Sequence, residues 1–312
     1  MTINYFSLAH LIYIGAAIGF AAALYFLLRN KSERVKRICV VSLMALNVIQ
    51  HLFKSYIYPQ YEGLGFNALN SAYNMCALLI LVSPIAYLSR SERLKDFVFY
   101  TGSAAGLVAI LVPYWHIGEY MFTWDVIRFF ICHALLFASS VLTLLFGHHK
   151  PSWRSSYRIA AGFFISVAVI IINDIFFLYM GLYPGENAEN LFESMRHINP
   201  VWSFGPPEQF AFVEKIAKFF SPDIFVGENA AGLYVPILWY FIPIFLAISI
   251  LTLPITAFFD KESFLCDMEE YKKRIKGFFS KAKAFFLSLY QGKKADSESS
   301  SNEKTKMRKN KK

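Results

Sequence analysis

Seven stretches of this 312-residue chain are so long and apolar that hydrocarbon, not water, must surround them: 6–28, 38–57, 68–88, 97–114, 124–146, 157–181 and 233–258. A helix needs about 20 mostly apolar residues to cross a hydrocarbon core about 30 Å thick. Lipid offers no water to backbone groups, so a spanning segment must pair its own N–H and C=O groups, as a helix does. The expected fold is therefore all-α, a polytopic membrane protein built as a seven-helix transmembrane bundle. With 56% hydrophobic and only 17% charged residues, against about 25% charged in a soluble domain, the composition excludes a water-soluble enzyme. Cys39, Cys76, Cys132 and Cys266 show no CxxC or Cys/His zinc spacing, which disfavours a disulfide scaffold and a zinc module. His148 and His149 stand in a loop without further ligands, so no metal and no cofactor is expected.

The connecting segments alternate in charge. Segment 29–37 carries Arg29, Lys31, Arg34, Lys36 and Arg37, whereas 58–67 has no basic residue. Segment 89–95 has Arg90, Arg93 and Lys95, and 115–123 again has none. Lys150 and Arg154 follow in 147–156, and the outer loop 182–232 then holds three basic against seven acidic residues. Basic loops stay on the cytoplasmic side, which predicts the N-terminus outside and the C-terminus in the cytoplasm. No basic residue precedes Arg29, so the first run is expected to be a retained helix and not a cleaved signal peptide. The expected location is a cell membrane, which for a bacterial protein is the inner membrane.

Three regions follow. Residues 1–260 form the transmembrane domain, with the long outer loop 182–232 broken by Pro184, Pro200, Pro206, Pro207 and Pro222. Within that loop, 207–220 has the composition of one short surface helix. Residues 261–290 carry apolar side chains at Phe264, Met268, Tyr271, Ile275, Phe278, Ala282, Phe285 and Leu289. That spacing predicts an amphipathic basic helix lying in the membrane interface. Residues 291–312 lack the apolar content to bury a core and are expected to be disordered. Of the net charge of +9, residues 259–312 supply +7, from 15 basic and 8 acidic residues. Beside a membrane, such a tail points to anionic lipid headgroups and not to nucleic acid.

Polar side chains inside the spans are costly and tend to turn inward. Asn47, Gln50, His51 and Lys54 share one face of the second span by their i, i+3, i+4, i+7 spacing. Two readings fit that stripe: interhelical hydrogen bonds that hold the bundle, or the wall of a pocket. Lys54 also has the length to snorkel to the outer interface. The third span opens with Asn70, Tyr73 and Asn74 on one face, with Cys76 close by. A lone membrane cysteine is as a rule a small apolar filler, and the alternative is a reactive thiol. Asp125 and Arg128 have the spacing of an ion pair, and His133 lies just over a turn deeper. Asn173 and Asp174 sit near the middle of the sixth span, while His10 reads as structural.

At 1.5 Å per residue, His51 lies about 9 Å inside the outer surface, Asn74 about 9 Å, Cys76 about 12 Å, His133 about 13 Å and Asp174 about 10 Å. Polar groups from four spans thus share one layer. A thiol and an imidazole at one depth permit nucleophilic catalysis, with His133 as base and Cys76 carrying a thioester. Cys132 is a rival thiol, about 100° round the helix from His133. Lys54 and Arg128 suit a lipid phosphate, and His51, Asn70, Asn74, Asn173 and Asp174 complete a substrate-binding layer. A small-solute transporter, or a seven-helix receptor or sensor, with a polar intramembrane site reads from the same residues.

Residues 41–181 carry a resemblance. NVIQHLFK, NSAYNMCALLILVSPIAYLSR, YTGSAAGLVAILVP, FFICHALLF and NDIFFLYMG occur in that order. They resemble segments of the YwaF-like integral membrane proteins and their animal relatives, some of which act as acyltransferases on phospholipids. The resemblance implies a membrane enzyme that moves a fatty acyl chain between lipids, with membrane phospholipids as partners. It also implies Cys76 as nucleophile and His133 as base. Tyr73 and Asn74 stand where the family commonly places a histidine, and the long outer loop and the tail are additions.

Overall fold

A computed structural model describes residues 1–57, 65–203 and 245–283, together with Gly205, Phe219 and the segments 226–228 and 234–236. The chain divides into two compact units, 1–260 and 261–312. In the first unit the helices are α1 (Leu8–Leu28), α2 (Glu33–Leu52), α3 (Lys54–Ile57), α4 (Met75–Leu88), α5 (Glu92–Leu111), α6 (Trp124–Leu145), α7 (Ser156–Tyr179), α8 (Leu191–Ile198) and α9 (Phe245–Phe259). Among the described residues, five stretches are long and apolar enough to cross a membrane: α1, α2, 92–116, α6 and α7. Two shorter apolar helices, α4 and the end of α9, accompany them. Several helices of that length and composition make this a membrane protein.

α6 is the centre of the bundle, with α1, α2, α4 and α5 packed round it; α7 lies against α5 and α9. The sequence of α5 explains the closest of these contacts. A Cβ on Gly106 would come within 2.8 Å of the Phe137 backbone nitrogen and 3.0 Å of the His133 carbonyl oxygen. A Cβ on Gly102 would meet the Ser140 hydroxyl. Small residues one turn apart let two helix backbones approach in lipid, where packing replaces the hydrophobic effect. On the other side, Gly162 of α7 leaves room for the Phe97 ring of α5.

Helix ends explain where the spans depart from the apolar runs. α2 begins at Glu33 because Ser32 offers an N-cap backbone, so the basic cluster is partly helical. It stops at Leu52, and Phe53 breaks the ladder before the four-residue α3. The expected continuous helix over 68–88 is corrected. Ala68–Asn70 is a 3₁₀ turn capped by Asn67, Ser71–Asn74 is not helical, and α4 starts only at Met75. Asn and Ser side chains compete for backbone groups and so punctuate helices; here the Asn74 side chain accepts from the Ala77 N–H. Pro84 sits inside α4 and withholds the N–H that would reach Ile80, and the Ser83 hydroxyl donates to that carbonyl instead at 3.1 Å.

The run 233–258 is also corrected. Tyr234–Pro236 is a strand, paired antiparallel with Val226–Glu228, and the described part of the helix is Phe245–Phe259. Residues 1–3 lie along the 118–121 loop, with Ile3 N–H donating to Glu119 O at 2.8 Å and Gly118 N–H to Ile3 O at 2.7 Å. The His10 ring accepts from the Phe6 N–H and donates to the Ile110 carbonyl, so it is structural. In the second unit, residues 261–283 are helical. The expected 207–220 helix, apart from Phe219, and the tail beyond 283 lie outside the described residues.

Candidate functional site

The late start of α4 changes the standing of Cys76. Asn74 is the N-cap, so Met75 and Cys76 occupy the first two helical positions. The first four N–H groups of a helix have no intrahelical acceptor, and the helix dipole there favours negative charge. Nothing in the run of apolar residues from 75 to 88 announces this; the signal was the Asn67, Asn70, Ser71, Asn74 series, which reads equally as a polar helix face.

His133 is fixed by its own helix. Its Nδ1 lies 2.7 Å from the Phe129 carbonyl oxygen, and because a carbonyl only accepts, Nδ1 carries the proton. Nε2 is then the basic nitrogen of the neutral ring. Cys132 lies within hydrogen-bonding distance of this imidazole, and Cys76 is among its electrostatic neighbours. Cys132 Sγ is 3.3 Å from Nδ1, the protonated nitrogen, and donates to the Phe129 carbonyl at 3.2 Å. Cys132 is thus occupied on the wrong side of the ring to lose a proton to it, although sequence spacing alone sets it about 100° away.

Two cations stand over the same ground. The Lys54 side chain is 1% exposed, and Nζ lies 4.8 Å from the centroid of the Tyr73 ring. It does not snorkel outward: the break at Phe53 turns α3 so that Lys54 folds inward over Tyr73. Arg128 pairs with Asp125 at 3.0 Å, and its charge acts together with that of Lys54 on His51 and Cys132. The His51 ring lies parallel to Tyr73 and donates through Nε2 to the Ser71 carbonyl at 2.9 Å. Lys54 and His51 thus lie against the Tyr73 ring, and Arg128 and Cys76 are among its electrostatic neighbours.

The remaining candidates hold backbone. Asn70 donates to the Leu52 carbonyl at 3.0 Å and accepts from the Ser55 hydroxyl and the Asn67 N–H, both at 3.2 Å. It caps the end of α2, and Asn74 caps the start of α4. Asn47 donates to the Cys132 carbonyl and accepts from Gln50. Asn173 donates to the Ser71 hydroxyl at 2.9 Å and to Asp174 Oδ1 at 3.3 Å. Asp174 is completely buried, and its Oδ2 has no hydrogen-bond partner among the described residues. Near it, burial first and then the Asp174, Tyr73 and Glu186 charges hold the Tyr183 hydroxyl well above the ordinary phenol range.

Spacing could not reveal two aromatic residues at this site. Trp202 Nε1 donates to the Tyr114 hydroxyl at 3.2 Å across 88 residues of sequence, and Tyr114 lies within electrostatic reach of Cys76 and Tyr73. Elsewhere, His116, Glu119 and Asp125 bring three ligand-type atoms within 4.8 Å of one another. Their mutual contacts and the Arg128–Asp125 pair account for that cluster.

Fold and site together define a polytopic α-helical membrane protein with a thiol, an imidazole and two cations enclosed where α2 ends and α4 begins. The chain belongs to the TMEM164 family, whose sequence pattern matches residues 5–214 and so includes every one of these groups. No curated protein and no solved structure matches it.

Proposed function

We propose that this protein is an integral membrane acyltransferase that moves a fatty acyl chain between phospholipids through a thioester on Cys76. What supports the reading is a thiol, Cys76, in the first turn of α4 and an imidazole, His133, whose Nδ1–H is committed to the Phe129 carbonyl and which has Cys76 among its electrostatic neighbours. In the first half-reaction His133 Nε2 takes the Cys76 proton, and the thiolate attacks a phospholipid ester carbonyl. The C–S bond forms, the ester C–O bond breaks, and the leaving lysophospholipid alkoxide takes the proton back from His133. In the second half an acceptor hydroxyl gives its proton to His133 and attacks the thioester; the C–S bond breaks, and the released thiolate takes that proton from His133 to restore the thiol. Lys54 and Arg128 hold the phosphate. His51 and the enclosed layer of Asn70, Asn74, Asn173 and Asp174 shape the headgroup end. The resemblance to YwaF-like proteins points the same way.

The chain crosses a cell membrane seven times in this reading, with its N-terminus outside, and the 261–290 helix lies on anionic lipid. Intact mass of the protein from native membranes, before and after neutral hydroxylamine, tests the enzyme. A removable fatty-acyl mass that disappears in Cys76→Ala and in His133→Ala is expected, and its absence after incubation with phospholipid refutes the reading. The orphaned Oδ2 of buried Asp174 favours a second reading, a small-solute transporter. That reading requires Cys76→Ser to be harmless and Asp174→Asn to abolish function.

A further inference from the structure

The end of α6 delivers two histidines to neighbouring helices. Gly147 has φ of +73°, a left-handed conformation that glycine enters without strain. Its N–H donates to the Leu144 carbonyl at 3.0 Å, and the His148 N–H donates to the Thr143 carbonyl at 3.1 Å. That pair of bonds is the Schellman motif, which closes a helix and turns the chain away from its axis. His148 Nε2 then lies 3.2 Å from Glu33 Oε2 of α2, and its Nδ1 lies 2.9 Å from the Tyr87 hydroxyl of α4. A carboxylate only accepts and a phenol can donate, so a neutral ring with its proton on Nε2 satisfies both contacts. Burial also holds His148 below the ordinary imidazole range, with Glu33 pulling the other way.

His149 cannot be satisfied in that way. Its side chain is 1% exposed, and both ring nitrogens face carboxylates of α5, Nδ1 at 3.0 Å from Glu92 Oε2 and Nε2 at 3.0 Å from Asp96 Oδ1. Two nitrogen-to-carboxylate contacts need two protons, and a neutral imidazole carries one. The titratable and charged groups round this ring are Glu92, Lys95 and Asp96 of α5, with His148 and Lys150 on its own segment. Beyond His148 stand Tyr87 of α4 and Glu33, Lys36 and Arg37 of α2. We propose that Glu92, His149 and Asp96 form a proton-sensitive latch between the end of α6 and the start of α5. Imidazolium closes it, and imidazole changes charge between about pH 5 and 8. The proton that leaves to water is the one on Nδ1. Glu92 is 66% exposed and can turn to solvent with Lys95, its partner at 3.0 Å, whereas an unpaired Asp96 would remain buried at a far higher cost. The Nδ1 lone pair then repels the Glu92 carboxylate, and the first turn of α5 is released. These are the two helices whose backbones meet at Gly106 and His133. The latch does not depend on what the protein catalyses.

The test uses the full chain in phosphatidylcholine nanodiscs and reads amide hydrogen exchange at about pH 5.5 and about pH 8, either side of the imidazole range. Rates are corrected for the intrinsic effect of pH on amides. Peptides covering 92–100 and 143–150 report the latch, and 124–135 reports the rest of α6. At the higher pH, wild-type exchange is expected to quicken about tenfold at the latch, the worth of one hydrogen bond to a charged group, with 124–135 unchanged. Asp96→Asn separates the latch from general loosening. The new amide donates to Nε2 while a neutral ring gives its single proton to Glu92, so both contacts survive without imidazolium and the pH step should vanish. Glu92→Gln does the same at the other nitrogen and serves if Asp96→Asn does not fold. Wild-type exchange that ignores pH, a step that 124–135 shares, or a step that persists in the folded variant overturns the latch.

Discussion

Asn70 commits both ends of its amide to other parts of the chain: the nitrogen to the open end of α2, the oxygen to Ser55 and Asn67. Removing it strands a buried carbonyl and a buried amide, each at about 1–3 kcal/mol. Asn70→Ala is therefore expected to lower the unfolding temperature in detergent by several degrees, whereas Cys76→Ala should leave it nearly unchanged. Equal shifts for the two would mean that Asn70 is not the structural member of the pair. Gly106 gives a second contrast. Gly106→Ala presses a methyl against the α6 backbone at His133 and Phe137, a strain of about 1–3 kcal/mol. Because α6 must shift at His133, the base in the proposed reaction, acylation of Cys76 should fall further than stability does. A variant that loses stability but acylates normally would separate the helix contact from the site.

At the scale of helices and their connections, the sequence identifies spans and misses joints. The apolar runs that become α1, α5, α6 and α7 need no partner to be recognised, since lipid alone selects them. The break before Met75 is different: Asn67, Asn70, Ser71 and Asn74 fit a helical polar face and a capped turn equally well, and only their backbone partners decide. Cys76 and His133 were legible by depth, while Tyr114 and Trp202 were not, because a contact across 88 residues leaves no period in the chain. The tandem histidines belong here too. His148 joins Tyr87 of α4 at 2.9 Å and Glu33 of α2 at 3.2 Å. The His149 ring has Glu92 at 3.0 Å from Nδ1 and buried Asp96 at 3.0 Å from Nε2. They bind the ends of three helices where the loop alone suggested nothing. His149→Ala removes the partner of a buried carboxylate, a loss of about 3–5 kcal/mol, and it should destabilise far more than His148→Ala in thermal unfolding. The reverse order would show that Asp96 is satisfied elsewhere.

For the whole molecule, the decisive questions are which way it faces and what its second unit touches. Cys266, in the second unit, is exposed. With the C-terminus in the cytoplasm, a membrane-impermeant maleimide should label it in opened cells and not in intact ones; labelling of intact cells inverts the topology. The helix 261–283 leaves Tyr271, Ile275, Phe278 and Phe279 exposed among six basic residues from 272 to 283. On anionic nanodiscs at low salt its lysines should resist trypsin, and that protection should disappear in neutral lipid or at high salt. Protection that ignores both salt and lipid charge would mean a protein partner. The hydrogen-bonded strap of residues 1–3 along the 118–121 loop bears on how such work is done. Those few residues run over the turn that follows Tyr114 and leads into α6. An affinity tag or reporter fused ahead of Met1 would pull on that turn. Purification handles and topology reporters therefore belong at the other end of the chain, and an inactive N-terminal fusion should not be mistaken for an inactive protein.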